Sequence, residues 1–233
     1  MKQINIFGNS KIIDAFTLKV IAVVTMLVDH IGFLIFPDQL WLREIGRLAL
    51  PLFAFLLAQG LLKTSSVKNY LLRLMVFALI SQIPYSLASY LTGNNIANLN
   101  IFFLLALGLG ALYLTQRYKN ILVKIIIILL AGAFATLTNI DYGAYGIWMI
   151  ASCFVILFKP ILGGFLFVGT SMFNALMVPL QVGLIQLYSI IALPLMYCYN
   201  GKQGIKISKW WFYWFYPAHL LILCGLHVLL YGV

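Results

Sequence analysis

An all-α, polytopic integral membrane helix bundle of about nine transmembrane helices, N-in and C-out, is the fold class this chain predicts. Its 233 residues are 64% hydrophobic and only 9% charged, against roughly 25% charged in a soluble domain. Apolar runs close to the ~20 residues that cross a bilayer recur along the whole length, and the mean hydropathy is +1.03. The cations alternate between connections, as the positive-inside rule requires of a chain that crosses repeatedly.

Each span is set by an apolar run and the breakers around it. The first, about 17–36, follows a polar leader, is too long for a cleavable signal and stops at Pro37-Asp38. The second and third, about 43–62 and 69–91, are followed by the turn Thr92-Gly93-Asn94-Asn95. The fourth and fifth are placed at about 100–116 and 121–138. The sixth and seventh, about 143–158 and 161–178, are divided only by Lys159-Pro160, and one long re-entrant element is the alternative there. The eighth, about 182–199, stops at Asn200-Gly201, and the ninth, about 210–231, opens on an interfacial belt at Trp210 and Trp211. With no internal repeat and no low-complexity linker, residues 1–233 read as a single transmembrane domain. Gly108, Gly110, Gly143, Gly146, Gly163 and Gly164 are positions for close helix approach.

Of the 15 cations, all but Arg43 and Arg47 fall on the leader and the even-numbered connections or their flanks. These include Lys2, Lys11 and Lys19, then Lys63, Lys68 and Arg73, and later Lys202, Lys206 and Lys209. The pattern places the amino terminus in the cytoplasm and accounts for the net charge of +10 without nucleic acid as a partner. The lipid bilayer of the cell membrane is the predicted surrounding. Cys153, Cys198 and Cys224 lack metal-type spacing and read as small core residues.

The few remaining ionisable groups lie in apolar segments, where charge is costly and usually functional. Asp29 and His30 stand together in the first span, but successive helical residues diverge by about 100°, so they do not face each other. A carboxylate orienting His30 would therefore come from another helix. In the second span Arg43 and Arg47 share a face, with Arg43 able to reach the interface. Arg47, just before Pro51, is a partner for Asp29 or Asp141, or a support for an acyl carbonyl. Asp141 precedes the sixth span, as either its N-cap or a site residue. His219 lies well inside the last span with Tyr216 on the same face, a candidate for proton handling. His227 reads as an ordinary packed histidine. No metal cluster and no nucleotide-binding glycine motif is present.

Leu18 to Ala22, Asp29-His30-Ile31-Gly32, Ile45 to Phe55, Gln59-Gly60 and Gln82-Ile83-Pro84-Tyr85 resemble the TraX family. Later matches are Asp141-Tyr142-Gly143 and Tyr216-Pro217-Ala218-His219-Leu220, with dense similarity over roughly the first 90 residues. The family is named for a membrane protein that N-acetylates pilin. The resemblance implies a membrane acetyltransferase that moves acetyl from acetyl-CoA to the amino terminus of a membrane or exported, pilin-like peptide. On that reading His30 is the base, His219 a second proton carrier or substrate anchor, and Arg47 the oxyanion support, with Asp29 and Asp141 alongside. Lys63, Lys68, Arg73, Lys206 and Tyr216 are the residues expected to hold acetyl-CoA. The competing classes are a proton-coupled transporter and a non-catalytic partner of a pilus or secretion assembly.

Overall fold

The computed structural model describes residues 12–232, so Lys2 and Lys11 lie outside the described residues. The regular elements among them are all helical. They are α1 (Ala15–Leu34), α2 (Leu40–Gly46), α3 (Ala49–Lys63), α4 (Val67–Leu91), α5 (Ile101–Thr115) and α6 (Ile121–Leu137). There follow α7 (Gly143–Ile156), α8 (Pro160–Met177), α9 (Leu180–Leu187), a 3₁₀ turn (Tyr188–Ile191), α10 (Ala192–Tyr197) and α11 (Lys209–Tyr231). Six units are long and apolar enough to cross a membrane: α1, α2 with α3, α4, α8, α9 with α10, and α11. The apolar helices α5, α6 and α7 are shorter. The chain is a multi-pass membrane protein.

Side-chain chemistry explains where the helices begin. The Asp14 carboxylate accepts from the Thr17 N–H at 2.8 Å, and Asn100 and Asn120 cap α5 and α6 in the same way. These caps satisfy backbone donors that have no partner within the helix.

Two predicted spans are interrupted rather than continuous. The second breaks at Arg47-Leu48, and the eighth passes through the 3₁₀ turn before Ala192. In each, a proline (Pro51 or Pro194) sits in the first turn of the segment that follows. Proline has no N–H for the carbonyl four residues earlier, so the helix restarts there. The region of the sixth and seventh predicted spans forms two helices, α7 and α8. Their close approach depends on Gly163, where a Cβ would overlap the Ile156 backbone nitrogen.

The packing leaves α3 and α7 at the centre, with Leu52, Phe55, Ile147 and Met149 fully buried. Helix α1 packs on α2, α3 and α11, while α4 lies against both α5 and α11. Leu79, Ile83, Leu130, Leu137, Phe165 and Leu229 point outward and exposed, the reverse of a water-soluble surface and suited to lipid. Two isolated backbone bridges join loops at opposite ends of the bundle, Ile13 to Tyr199 and Leu99 to Ile140.

Candidate functional site

The centre of the bundle holds an ionic cluster of three residues, Asp29, Arg43 and Arg47. Asp29 on α1 is buried, and each of its carboxylate oxygens meets a different arginine. Arg47 Nη2 lies 2.6 Å from Oδ1, and Arg43 Nη1 lies 2.7 Å from Oδ2. Arg43 Nη1 also donates to the Asp29 carbonyl at 2.8 Å. Arg43 thus turns inward to a buried carboxylate instead of extending to the interface. Arg47 Nε donates to the Arg43 carbonyl at 3.1 Å, fixing the guanidinium against its own helix end.

Gly46 makes this approach of α1 and α2 feasible, since a Cβ there would overlap the Asp29 carboxylate. The break after Gly46 then lets Arg47 reach Asp29 from the turn between α2 and α3. Sequence spacing revealed the Arg43–Arg47 pairing on one face, but not that both converge on a single carboxylate.

Asp29 and His30, adjacent in the chain, serve different neighbours. The His30 ring faces α11, where its Nδ1 lies 3.0 Å from His219 Nε2. His219 Nδ1 in turn lies 2.7 Å from the Phe215 carbonyl. A carbonyl only accepts, so His219 carries its proton on Nδ1. With both rings neutral, His219 Nε2 is then an acceptor and His30 Nδ1 the donor, which leaves the free lone pair on His30 Nε2. The group that orients His30 is therefore a second histidine rather than a carboxylate.

Asp29, His30, Arg43 and Arg47 border a cavity of about 710 Å³ that extends along the bundle. Near the start of α1 its wall carries Lys19, Lys63, Arg73 and Lys209, with the aromatic rings of Tyr70, Phe212 and Tyr213. Midway lie His30, Asp29, Arg43, Arg47 and Tyr216. Towards the opposite end come Tyr85, Ser89, Asn94, Asn98, Asp141 and Tyr142. Arg73 Nε is buried without a hydrogen-bond partner. Lys63 Nζ donates to the Tyr199 hydroxyl and the Gly201 carbonyl, at 2.9 and 3.0 Å.

Of the residues singled out from sequence, His30, Asp29, Arg47, Asp141, Lys63, Arg73 and Tyr216 line this cavity. His219 is buried behind His30 and outside the lining, and Lys68 and Lys206 also lie outside it. Lys19 and Lys209, legible in the sequence as topology signals, join the wall. Asp141 is not the α7 cap: that position is Tyr142, in a left-handed conformation (φ 64°) with no side-chain cap bond. Freed from capping, Asp141 is half-buried on the cavity wall, and its low-polarity surroundings push its carboxyl up to about 6, against the pull of Arg47. His227 bonds the Leu34 carbonyl at 2.6 Å, a packed histidine as expected.

A helical membrane protein with a charged, histidine-bearing cavity at its centre is the class that fold and site define. The family model described as TraX protein matches residues 15–227, and the chain belongs to that family. It is 31% identical over 233 aligned residues to the probable fimbrial assembly protein FimC, serogroup H1, of Dichelobacter nodosus, covering 91% of this chain and 95% of that protein. A shorter similarity, 47% over 38 residues, relates it to the uncharacterized protein RP591 of Rickettsia prowazekii (strain Madrid E), covering 16% of this chain and 15% of that one. No solved structure matches.

Proposed function

We propose that this protein is a membrane-embedded acyltransferase that moves acetyl from cytosolic acetyl-CoA to an amino group presented at the other face. The carrying observation is the single cavity, basic at one end, histidine-bearing in the middle and carboxylate-bearing at the other. With the amino terminus in the cytoplasm, as the cation placement predicts, the basic end faces the cytosol. The fimbrial assembly relative supports a pilin-like peptide as acceptor, and a cytosolic donor fits a location in the inner membrane of the cell.

The basic end suits a polyanionic donor. Lys19, Lys63 and Lys209 supply positive charge, and the unpartnered Arg73 Nε–H supplies a donor already removed from water. These residues would hold the phosphates, with the pantetheine arm directed along Tyr70, Tyr213 and Tyr216 to the centre. The acceptor amine attacks the thioester carbonyl as His30 Nε2 takes its proton. The C–N bond forms, the C–S bond breaks, and the proton returns from His30 to the departing thiolate. His219 stabilises the imidazolium by accepting from His30 Nδ1–H.

Arg47 has five N–H donors. Three are engaged, by Arg43, Asp29 and Gln186. The other two are available to a developing oxyanion. Asp141, in no ion pair among the described residues, receives the acceptor as an ammonium and takes its extra proton, releasing the neutral amine that attacks.

The test is transfer of labelled acetyl from acetyl-CoA to a peptide amine by purified protein in nanodiscs. His30→Ala abolishes transfer and His227→Ala retains it. Wild-type protein that binds no CoA would falsify the proposal, and substrate flux in proteoliposomes would instead identify a transporter.

A further inference from the structure

Besides Asp29 and the Arg43 carbonyl, Arg47 has a third anchor that the ionic cluster does not explain. Its Nη1 lies 3.4 Å from Gln186 Oε1, on the interrupted span formed by α9 and α10. Gln186 Nε2 donates to the Tyr145 hydroxyl on α7 at 2.8 Å, and that hydroxyl donates to Ser189 Oγ at 3.3 Å. Ser189 and Ser171 hydroxyls are 3.2 Å apart, and Ser171 donates to the Phe167 carbonyl at 3.1 Å. All four side chains are buried, Gln186 and Tyr145 at 5% exposure and the serines at 0%.

The direction of this chain is determined. The Phe167 carbonyl only accepts, so the single Ser171 proton is committed to it and Ser171 must accept from Ser189. Ser189 then accepts from Tyr145, and Tyr145 from the Gln186 amide nitrogen. The amide is left with its oxygen towards Arg47, where a reversed amide would set donor against donor. Such aligned chains polarise one another in a low-dielectric interior.

We propose that Gln186 is a positioning residue for Arg47, with Tyr145, Ser189 and Ser171 fixing the amide so that the guanidinium keeps one orientation while holding Asp29. The role depends on the transfer reaction proposed above only for its catalytic consequence. The four-membered chain ties two helices, α7 and α8, and the interrupted span to one guanidinium. It is more than a lone buried amide needs, because Tyr145 alone would satisfy the Gln186 nitrogen.

The experiment uses ¹⁵N-arginine-labelled full-length protein in nanodiscs, with the Arg47 guanidinium signals assigned through Arg47→Lys. Held wild-type Arg47 gives separate Nη1 and Nη2 signals. Gln186→Met removes one of three anchors and speeds rotation about the Nε–Cζ bond enough to merge them although Asp29 and the Arg43 carbonyl remain, Tyr145→Phe merges them in part, and Gln186→Glu, which keeps an acceptor, leaves them separate. In the transfer assay Gln186→Met lowers kcat about tenfold, with the KM for acetyl-CoA within about twofold, as expected for a group acting at the transition state. Separate Arg47 signals in a folded Gln186→Met protein overturn the proposal, as do merged signals with unchanged kcat. If Gln186→Met does not fold, Tyr145→Phe gives the same decision. Wild-type protein inactive in transfer overturns the proposed reaction, while the arginine spectrum still decides whether Gln186 holds Arg47.

Discussion

Replacing Asp29 by Asn tests the energetic centre of this structure. The substitution keeps the side-chain volume but removes the one charge that two arginines share. At an effective dielectric of about 20, each pair of charge centres near 4 Å is worth about 4 kcal/mol. Returning the carboxylate's own desolvation cost offsets part of that loss. Arg47 is left with 11% of its side chain exposed and Arg43 with 25%, so neither charge is fully rehydrated in place. An amide also presents an NH₂ to one of the two guanidinium groups, turning one attraction at 2.6–2.7 Å into a clash of donors.

A loss of about 3–5 kcal/mol is expected, the range for removing one partner of a buried ion pair. The assay is equilibrium unfolding of purified protein in mixed micelles with rising denaturing detergent. Asp29→Asn combined with Arg43→Gln should recover part of the loss, because the more exposed guanidinium is the one whose removal leaves Arg47 room to hydrate. A destabilisation below about 1 kcal/mol would refute the reasoning, since it would mean that water already screens the cluster.

Four further outcomes follow from particular positions. Gly46→Ala should cost about 1–3 kcal/mol, because its Cβ overlaps Asp29, and should also lower transfer. Gly110→Ala, whose Cβ has nothing within 4 Å, should be neutral or stabilising by up to about 1 kcal/mol; equal losses in thermal unfolding would contradict the packing. Asp141 is anionic above its value of about 6, so transfer should fall as pH drops through that range. Asp141→Asn should give a low rate without that limb, measured as kcat/KM against pH. The raised value also means that Asp141 disfavours the folded state once ionised, so this contribution to stability is largest below pH 4 and lost as pH rises through 6. Single cysteines at positions 68 and 95, in a background lacking the native thiols, should react with impermeant reagent from opposite faces, and labelling from one face would refute the alternation.

The helical membrane architecture was legible in the sequence because lipid leaves few choices. Apolar length, turn residues and cation placement each report on the bilayer without reference to any other part of the chain. The interruptions at Arg47 and before Pro194 were less so: Pro51 signalled a bend, but a proline in a membrane helix can kink it or restart it, and packing selects which. Cost also exposed Asp29, His30, Arg47 and His219, since ionisable groups in apolar segments stand out.

Gln186 gave a weaker signal, a polar residue in an apolar run, and nothing along the chain connects it to Arg47. The sequence by itself determined that charge would be buried and roughly at what depth. Only the tertiary structure decided the partners: two arginines on one carboxylate, a histidine rather than an acid behind His30, and Asp141 released from capping to line the cavity. Depth is a property of each segment in its solvent, whereas partnership depends on how helices rotate against one another, and that is settled by packing at positions such as Gly46 and Gly163.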